Sequence, residues 1–366
     1  MTETARIKEV RFREVRKALR TTFATSLGRK RHLHSVIVKV TLDNGGEGVG
    51  EVPTSAAFND ETIAVIGRVL HEGRRRLKGV EIGDYAERLD SLRGTFPAAA
   101  MTTSGLEVAL FRACLASREV PEHLYWGGRS GRIETDITVP ILTDKRMLVP
   151  WIERAARKGF TAYKVKVSGN LAQDREIVAF IYRLLGEKIA RFRLRLDGNQ
   201  GYTAETFLAF VDFLQEMRFE IELFEQPLPR NAFEGLAYIK ERCPIPLILD
   251  ETILTVEDAQ RAVDHNLCHG INIKIAKSGI GESMKLLELA RRHRMKLMAG
   301  CMIETMVGLS AAVFFAAGAG AFDFIDLDAV HFLYGENAYP GIGIVGPSFF
   351  IGGTRGSQPV APANLA

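Results

Sequence analysis

The fold of this chain is decided by three stretches, FRLRLDGNQG at residues 192–201, IELFEQP at 221–227 and LILDE at 247–251. Each begins with a few residues rich in Leu, Ile and Phe that predict a strand, and each continues into acidic or amide residues. Residues 204–216, between the first two stretches, have the periodicity of a helix. Strands and helices in alternation predict a parallel β/α fold, in which the carboxyl ends of the strands carry the functional side chains.

The same alternation extends in both directions along the chain. The predicted strands are Ile137–Leu142, Thr161–Ser168, Phe192–Asp197, Ile221–Glu225, Leu247–Asp250, Gly270–Ile275, Leu297–Cys301 and Phe324–Asp328. Short apolar strands in this number, with helices between them, predict a TIM barrel. The pattern gives no helix after the last strand, where Pro340-Gly341-Ile342-Gly343 intervenes.

The residues before the barrel have a different pattern. Strands are predicted at 6–18 and 33–41, a turn at 44–46, and helices near 60–78 and 100–118. This order of elements is typical of an α+β unit. We therefore expect an amino-terminal α+β domain over residues 1–125, a barrel over 126–330 and a carboxyl-terminal segment over 331–366. The Gly/Pro/Ala-rich tail after Gly352 is expected to be loose.

Composition and charge argue against several classes of protein. The 366 residues carry a net charge of only +4, and the basic runs at 29–31 and 74–76 lack interleaved aromatic residues, so nucleic-acid binding is not expected. The uncharged stretch Met306–Phe322 is interrupted by Gly318 and Gly320, and we interpret it as a buried barrel helix rather than a membrane span.

The four cysteines form no C-x-x-C pair, and the amino terminus has no signal-peptide core. The cysteine spacing argues against a thiolate zinc site. Both features are typical of a cytoplasmic protein with reduced thiols.

Three carboxylates lie at the ends of consecutive predicted strands: Asp197, Glu225 and Asp250. Unpaired acids at one barrel rim would repel one another, and a hard divalent cation relieves this. Ligands that are all oxygen favour Mg²⁺, with Mn²⁺ as the alternative. Taken singly, each acid could instead cap the following helix.

Lysines flank these acids on both sides. Lys164 and Lys166 end the second predicted strand, and Lys274 lies on the sixth, across a closed eight-stranded barrel. A substrate carboxylate held by the metal would place its α-carbon between Lys166 and Lys274. One amine could then remove the α-proton while the other supplies a proton to the opposite face. Lys164 could alternatively serve only as a salt-bridge partner.

The ordered motifs KVK…DGNQG…EQP…DE…NIK resemble those of the enolase superfamily, in particular its muconate-lactonising-enzyme subgroup. The resemblance implies a modified (β/α)7β barrel capped by the amino-terminal α+β domain, with the carboxyl-terminal segment packing back on the cap. It implies one Mg²⁺ per subunit bound by Asp197, Glu225 and Asp250. It also implies an acid/base pair of Lys166 and Lys274, with Lys164 and Asn199 as auxiliary residues.

Within the subgroup, Asp326-Leu327-Asp328 resembles the Asp-x-Asp of dipeptide epimerases, whose two carboxylates hold the free ammonium group of the substrate. Alternate strand positions would put both acids on one face. The resemblance therefore implies an isomerase whose partner is a small dipeptide and which inverts the α-carbon of the second residue. These two aspartates could instead merely pair inside the barrel.

The preferred dipeptide is left open between two kinds. The loop Thr21–Arg31, which includes Thr25, lies where the cap closes over the site in this superfamily, and its basic residues would suit the glutamate of L-Ala-D/L-Glu from cell-wall peptide turnover. Met302 and Ile303 would instead form an apolar wall suited to a hydrophobic residue. A homo-oligomer is an open alternative to a monomer.

The rival functions are other reactions of the subgroup and a binding role without catalysis. N-acylamino-acid racemisation, o-succinylbenzoate synthesis and cycloisomerisation use substrates without an ammonium group, which two aspartates would not suit. A non-catalytic binding relative would keep the barrel and lose catalytic positions.

Overall fold

The amino-terminal part of the computed structural model is an antiparallel sheet of order β1-β2-β3 covered by helices. The structure describes residues 5–142, 144–335 and 338–352. The elements are β1 Ile7–Thr25, β2 Gly28–Leu42, β3 Glu47–Pro53, α1 Ile63–Leu77, α2 Tyr85–Thr95, α3 Ala100–Ser117 and α4 Glu122–Tyr125. Val36, Val38 and Val40 alternate along β2 and are all buried, as a strand with one covered face requires.

Helix α3 lies directly against β3 because glycines remove the side chains at the contact. A Cβ atom on Gly48 would lie 2.1 Å from the carbonyl oxygen of Ala109, and one on Gly50 would lie 2.0 Å from that of Gly105. Only residues without a Cβ allow backbones to approach this closely. The glycines of β3 therefore allow α3 to pack directly on the backbone of this strand.

Eight parallel strands of the described chain form a second sheet, in which each strand pairs with the next along the sequence. The strands are β5 Ile137–Val139, β6 Ala162–Lys166, β7 Arg193–Asp197, β8 Ile221–Glu225, β9 Leu247–Leu249, β10 Gly270–Ile273, β11 Lys296–Gly300 and β12 Phe324–Asp326. The helices are α5 Lys145–Arg157, α6 Leu171–Lys188, α7 Ala204–Glu216, α8 Phe233–Lys240, α9 Val256–Asp264, α10 Ile275–Arg292 and α11 Met306–Ala319.

The first and last strands of this sheet approach each other and nearly close a barrel. The Asp136 backbone N–H donates to the carbonyl oxygen of Ile325 over 3.2 Å. The Leu327 N–H donates to the Thr135 hydroxyl over 2.7 Å. Single contacts of this kind replace the regular ladder between β5 and β12, and the predicted modified TIM barrel is confirmed.

Polar side chains fix where the barrel helices begin. Thr203 before α7 and Thr255 before α9 each accept a hydrogen bond from the third backbone N–H of the helix, in capping boxes. Asn170 does the same before α6. Each cap follows the carboxyl end of a strand, and because the strands are parallel these ends lie at one rim.

Within residues 327–335 and 338–352, the chain after β12 makes a short 3₁₀ turn at Ala329–Phe332 and forms no α-helix, in agreement with the sequence pattern. It continues into β13 Ala338–Tyr339, β14 Ile342–Val345 and β15 Ser348–Ile351, which pair with β4 Arg132–Glu134 in a separate four-stranded sheet. The sequence pattern did not predict this sheet, because its strands are only two to four residues long. Leu333 also bridges to Leu19 of β1, so the segment contacts the cap.

Several predicted boundaries are wrong by a few residues. Strand β10 ends at Ile273, so Lys274 is the residue before α10, and β12 ends at Asp326, so Asp328 precedes the 3₁₀ turn. Asp250 likewise follows β9. The predicted loop Thr21–Arg31 is mostly strand, with Thr25 paired to Gly28 across a tight hairpin tip. The polar residues that follow these strands are themselves buried. Apolar periodicity therefore cannot show at which residue the strand ends.

The domain boundaries at residues 125 and 330 stay a prediction, and the expected loose tail, residues 353–366, lies outside the described residues. Met306–Ala319 forms the buried barrel helix α11. Across the described part of the chain, no helix combines the length and apolar character that a membrane crossing needs.

Candidate active site

A cleft of about 770 Å³, open solvent at its mouth included, lies over the carboxyl ends of the barrel strands and under the β1–β2 hairpin. Of the residues predicted from sequence, those lining it are Thr25, Lys164, Lys166, Asn199, Asp250, Lys274, Ile303, Asp326 and Asp328. Asp197 and Glu225 are fully buried among the residues that they bind. All eleven predicted residues thus come together in one place, although this does not test their roles.

Two lysines lie on opposite sides of this cleft. Lys166 ends β6 and Lys274 follows β10, and strands β7, β8 and β9 lie between them in the sheet. The ammonium nitrogen of Lys166 is 2.5 Å from Asp197 Oδ2, and that of Lys274 is 2.6 Å from Asp250 Oδ2. Each amine is therefore held by an acid at the carboxyl end of a neighbouring strand, and both lysines line the cleft between the two flanks.

Lys164 binds the acids between these flanks. Its ammonium nitrogen is 3.1 Å from Glu225 Oε2 and 3.6 Å from Asp197 Oδ2, and it also donates to Asp326. Burial alone would lower the pKa of Lys164, but the surrounding carboxylates, Asp326 first, outweigh burial and hold the pKa well above its usual value. Lys164 is accordingly a fixed positive charge at the floor of the cleft.

The three predicted metal ligands differ in how well their charge is balanced. Burial raises the pKa of Asp250, but Lys274 and Lys277 lower it further, and the net shift is downward. Asp197 is also shifted down, since Lys166 and Lys164 outweigh its burial. The pKa of Glu225 is raised by burial and by Asp197. Glu225 is therefore the acid whose ionised form most needs another positive charge nearby.

Buried oxygen atoms without partners lie beside these ligands. Among the residues described, the side-chain oxygen Oδ1 of Asn199 and Oε2 of Glu251 are buried and accept no hydrogen bond, and Asn199 Nδ2 donates to Glu251 Oε1 over 3.1 Å. Burial, followed by Asp250, raises the pKa of Glu251 to about 8. Unsatisfied oxygens around an all-carboxylate donor set fit a hard divalent cation.

A second acidic cluster lies where the barrel closes. Asp136, Asp326 and Asp328 place carboxylate oxygens within 4.8 Å of one another, the one such group of three in residues 5–142, 144–335 and 338–352. The predicted ligands do not form a group this tight, since lysine ammonium groups lie between them. Asp136 could not be predicted in this way because it precedes β5, whereas the acids predicted as ligands lie at the carboxyl ends of strands.

The acidic cluster is incompletely neutralised. Arg195 Nη1 donates to Asp136 over 2.7 Å, and the Thr138 backbone N–H donates to Asp328 over 2.5 Å. Oδ1 of Asp326 is buried without a partner among the described atoms. Burial and then Asp326 raise the pKa of Asp328 to about 6. Because Asp326 and Asp328 also line the cleft, a cationic group there would relieve their repulsion.

The hairpin tip closes the cleft from above. The Ser26 hydroxyl donates to the carbonyl oxygens of Gly198 (3.1 Å) and Asn199 (2.6 Å), immediately after β7. The Phe23 ring lies 5.9 Å from the Lys166 ammonium nitrogen. The sequence placed this segment over the site only by resemblance, because long-range contacts of this kind leave no local pattern.

Comparison with known proteins agrees with this geometry. Residues 148–341 match the family described as "Enolase C-terminal domain-like". The chain belongs to the enolase superfamily. Three predictions are thereby confirmed: the superfamily that the motifs indicate, the capped barrel and the assignment to the isomerases.

Relatives within the enolase superfamily carry the names of epimerases. The chain is 33% identical over 315 residues to an L-Ala-D/L-Glu epimerase of Thermotoga maritima, covering 84% of this chain and 87% of the relative. It is 30% identical over 312 residues to an aromatic dipeptide epimerase of Herpetosiphon aurantiacus, covering 85% and 86%.

Solved structures of the enolase superfamily are similar over nearly the whole chain. A substrate-liganded L-Ala-D/L-Glu epimerase from Bacillus subtilis has a TM-score of 0.87 at 26% identity and covers 94% of this chain and 96% of its own. A dipeptide epimerase from Enterococcus faecalis, complexed with Mg and L-Leu-L-Tyr, has the same TM-score and identity and covers 95% and 97%.

Proposed function

We propose that this protein is a dipeptide epimerase that inverts the α-carbon of the second residue by a two-base 1,1-proton transfer. One observation carries the proposal: two buried lysines approach the same cleft from opposite flanks, beside a cluster of three aspartates that Lys164 and Arg195 neutralise only in part. The names of the relatives support a reaction on dipeptides. The order of the motifs KVK, DGNQG, EQP, DE and NIK supports a reaction of the enolase superfamily.

Lys166 and Lys274 are the proposed acid/base pair. A substrate α-carbon between them would present its proton to one amine and its opposite face to the other. Removal from one side and return from the other inverts the centre, and the same pair can run the reaction in either direction. Asp197 and Asp250 orient the two amines, and Lys164 adds a fixed positive charge near the reacting carboxylate.

Asp197, Glu225 and Asp250 are the proposed ligands of one Mg²⁺ per subunit, with Mn²⁺ as an alternative and Asn199 as an auxiliary residue beside them. The unsatisfied oxygens of Asn199 and Glu251 support a cation there. When bound, the cation would neutralise the substrate carboxylate and the charge that develops as the α-proton leaves.

Asp326 and Asp328 are the proposed partners of the free ammonium group of the dipeptide. An ammonium group donates three hydrogen bonds and supplies a positive charge. Lys164 pairs with Asp326 and Arg195 with Asp136, whereas Asp328 forms no salt bridge within the described residues. The rival reactions of the subgroup act on substrates without that group and would leave the aspartates unpaired. Intact lysines and acids also count against a purely non-catalytic binding protein.

The side chain of the second residue is proposed to lie between Thr25 of the hairpin and Ile303 after β11. Glutamate, as in L-Ala-D/L-Glu from cell-wall peptide turnover in the cytoplasm, is the first candidate. Four free cysteines are compatible with a reducing compartment. The apolar wall of Met302 and Ile303 favours a second candidate, a hydrophobic residue.

A dipeptide library tests the proposal. Protein stripped with EDTA and then supplied with Mg²⁺ is incubated with L,L-dipeptides, and the L,D products are separated by chromatography. We expect epimerisation of the second residue only, lost in EDTA and restored by Mg²⁺. Failure to epimerise any free dipeptide with Mg²⁺ or Mn²⁺ would contradict the proposed function.

A further inference from the structure

A smaller cavity lies between α5, the residue that precedes β6 by two positions and the 3₁₀ turn after β12. It measures about 230 Å³, open solvent at its mouth included, and among the described residues it shares no lining residue with the cleft. Its polar lining consists of Arg154 and Lys158 of α5 and His331 of the turn. The remaining lining residues are apolar, so basic groups alone give this cavity its polar character.

His331 has a ring nitrogen without a partner. The residue is only 9% exposed, and its ring packs edge-on against Phe160 with the ring centroids 5.0 Å apart. Nε2 is buried and forms no hydrogen bond with any described atom. Leaving a buried polar atom unpaired is costly, so a group from outside the chain is expected to satisfy it. In the tautomer that carries its proton on Nε2, this nitrogen is a donor.

Positive charge accumulates around this histidine. Arg20 of β1 lies at the edge of the cavity, where its Nε donates to the Leu333 carbonyl oxygen over 2.9 Å. Burial, followed by Lys158, Arg154 and Arg20, lowers the pKa of His331 to about 3. Partial burial of the amine, followed by Arg154 and Arg20, also lowers the pKa of Lys158. These cations therefore repel one another, and none of them forms an ion pair with a described carboxylate.

The donors of this cavity suit an oxyanion. The N–H groups of a guanidinium match two oxygens of one phosphate, and the Lys158 amine adds a further charged donor. Several cations without a counter-charge favour a dianion over a monoanion. The space is several times the ~30 Å³ that one water occupies, so an ion with four oxygens fits at its mouth.

We propose that this cavity binds a small dianionic oxyanion of the phosphate class. Arg154 and Lys158 contact the anion from α5, Arg20 adds positive charge at the edge, and His331 donates from Nε2. The ligand is free phosphate or the phosphoryl group of a small molecule, since the cavity is open to solvent. The inference does not depend on the proposed function, and its test needs no dipeptide.

Calorimetric titration with inorganic phosphate tests this site, with EDTA present and the ionic strength held constant with chloride. We expect saturable binding at one site per chain and weaker binding of acetate. Lys158→Met and Arg154→Met should each weaken phosphate binding by ~10-fold or more, because each removes a charged partner. Arg157→Met is the matched control: it removes an exposed cation of the same helix, 3.9 Å from Glu153, and should bind phosphate as wild type does.

Two further titrations define the ligand and the role of the histidine. His331→Phe keeps an aromatic ring against Phe160 but loses Nε2, and it should weaken phosphate binding by ~2- to 10-fold. Phenyl phosphate is compared with inorganic phosphate on wild type. Tighter binding of the ester identifies a phosphorylated small molecule as the ligand, and tighter binding of the ion identifies free phosphate; either result supports the site.

Thermal unfolding without phosphate checks that the variants are folded. Lys158→Met should be at least as stable as wild type, because it relieves repulsion among the cations. The absence of saturable phosphate binding, equal affinity for acetate, or the same loss in Arg157→Met as in Lys158→Met would overturn the inference. Loss of binding in Lys166→Met but not in Lys158→Met would assign the phosphate to the cleft and overturn it as well.

Discussion

Individual residues of the cleft differ in how well the sequence predicts them. Lys166, Asp197 and Glu225 end buried strands, and parallel strands bring their carboxyl ends to one rim, so these positions could be predicted from periodicity alone. Their roles stay a prediction.

Other residues of the site could not be predicted in this way. Asp136 precedes its strand, and Lys277 lies one turn into α10, where it donates to Asp250 Oδ1 over 2.6 Å. Lys30 is one of the basic residues of the loop Thr21–Arg31 that the resemblance places over the site. Its hydrogen bond to Thr54 could not be predicted, because it depends on the packing of two distant segments.

Neutralising one aspartate of the cleft tests the proposed ammonium site. Asp328→Asn should lower kcat/KM for a free dipeptide by ~10- to 100-fold, because a charged partner of the ammonium group is lost. With the N-acetylated dipeptide, which has no ammonium group, the variant and wild type should be similarly slow. Steady-state assays on both substrates give the comparison.

Asp212→Asn, which alters an exposed aspartate of α7, is the matched control and should behave as wild type. If Asp328→Asn kept the full preference for the free dipeptide over the acetylated one, the aspartates would not hold the ammonium group.

At the scale of elements, one buried acid joins the cap to a barrel helix. Glu107 of α3 accepts hydrogen bonds from the backbone N–H groups of Ile280 (2.8 Å) and Gly281 (3.1 Å), and it pairs with Arg93. Gly279 interrupts α10 at a φ of +76°, and a Cβ there would lie 2.0 Å from Glu107 Oε2. The break in the helix thus exposes N–H groups that Glu107 satisfies.

Replacing this acid should destabilise the protein. Glu107→Gln keeps the shape but loses the charge, and we expect the free energy of unfolding to fall by about 1–3 kcal/mol. Denaturant titration measures the change. Glu216→Gln, at an exposed position of α7, should alter it little. Equal stability of the Glu107 and Glu216 variants would show that the contact contributes nothing.

At the scale of the whole molecule, the sequence predicts a capped barrel. It does not predict the contacts between the cap and the barrel. Glu51 of β3 accepts hydrogen bonds from the backbone N–H groups of Thr305 (3.0 Å) and Gly308 (3.0 Å) at the start of α11. The sheet of β4 and β13–β15 was also missed. Such pairings link residues far apart in the chain, and periodicity reports only on neighbours.

Glu304 is a second acid at the contact between β3 and the start of α11. Its raised pKa predicts that the stability of the protein depends on pH. Burial, followed by Glu51, raises the pKa of Glu304 from 4.5 to about 8. Because the folded pKa is the higher one, the contribution to stability is present below about pH 4.5 and is lost as the pH rises toward 8.

The comparison of wild type with Glu304→Gln isolates this effect. Wild type should lose stability between pH 5 and 8 relative to the variant, by at most about 5 kcal/mol. Calorimetric unfolding across this range, with EDTA present, measures the difference. Parallel stability curves for the two proteins would contradict a buried, protonated Glu304.

The proposed function depends on the arrangement of the whole barrel, because the barrel puts Lys166 and Lys274 on opposite sides of one cleft. Proton NMR of the α-position of the second residue, in deuterated water, tests this most directly. Wild type should exchange the α-proton of both epimers. Lys166→Ala and Lys274→Ala should each lose epimerisation but keep exchange for one epimer, a different one in each variant, since the remaining amine can still remove and return a proton on its own side. Exchange of the same epimer by both variants, or of neither epimer by wild type, would contradict the two-base arrangement.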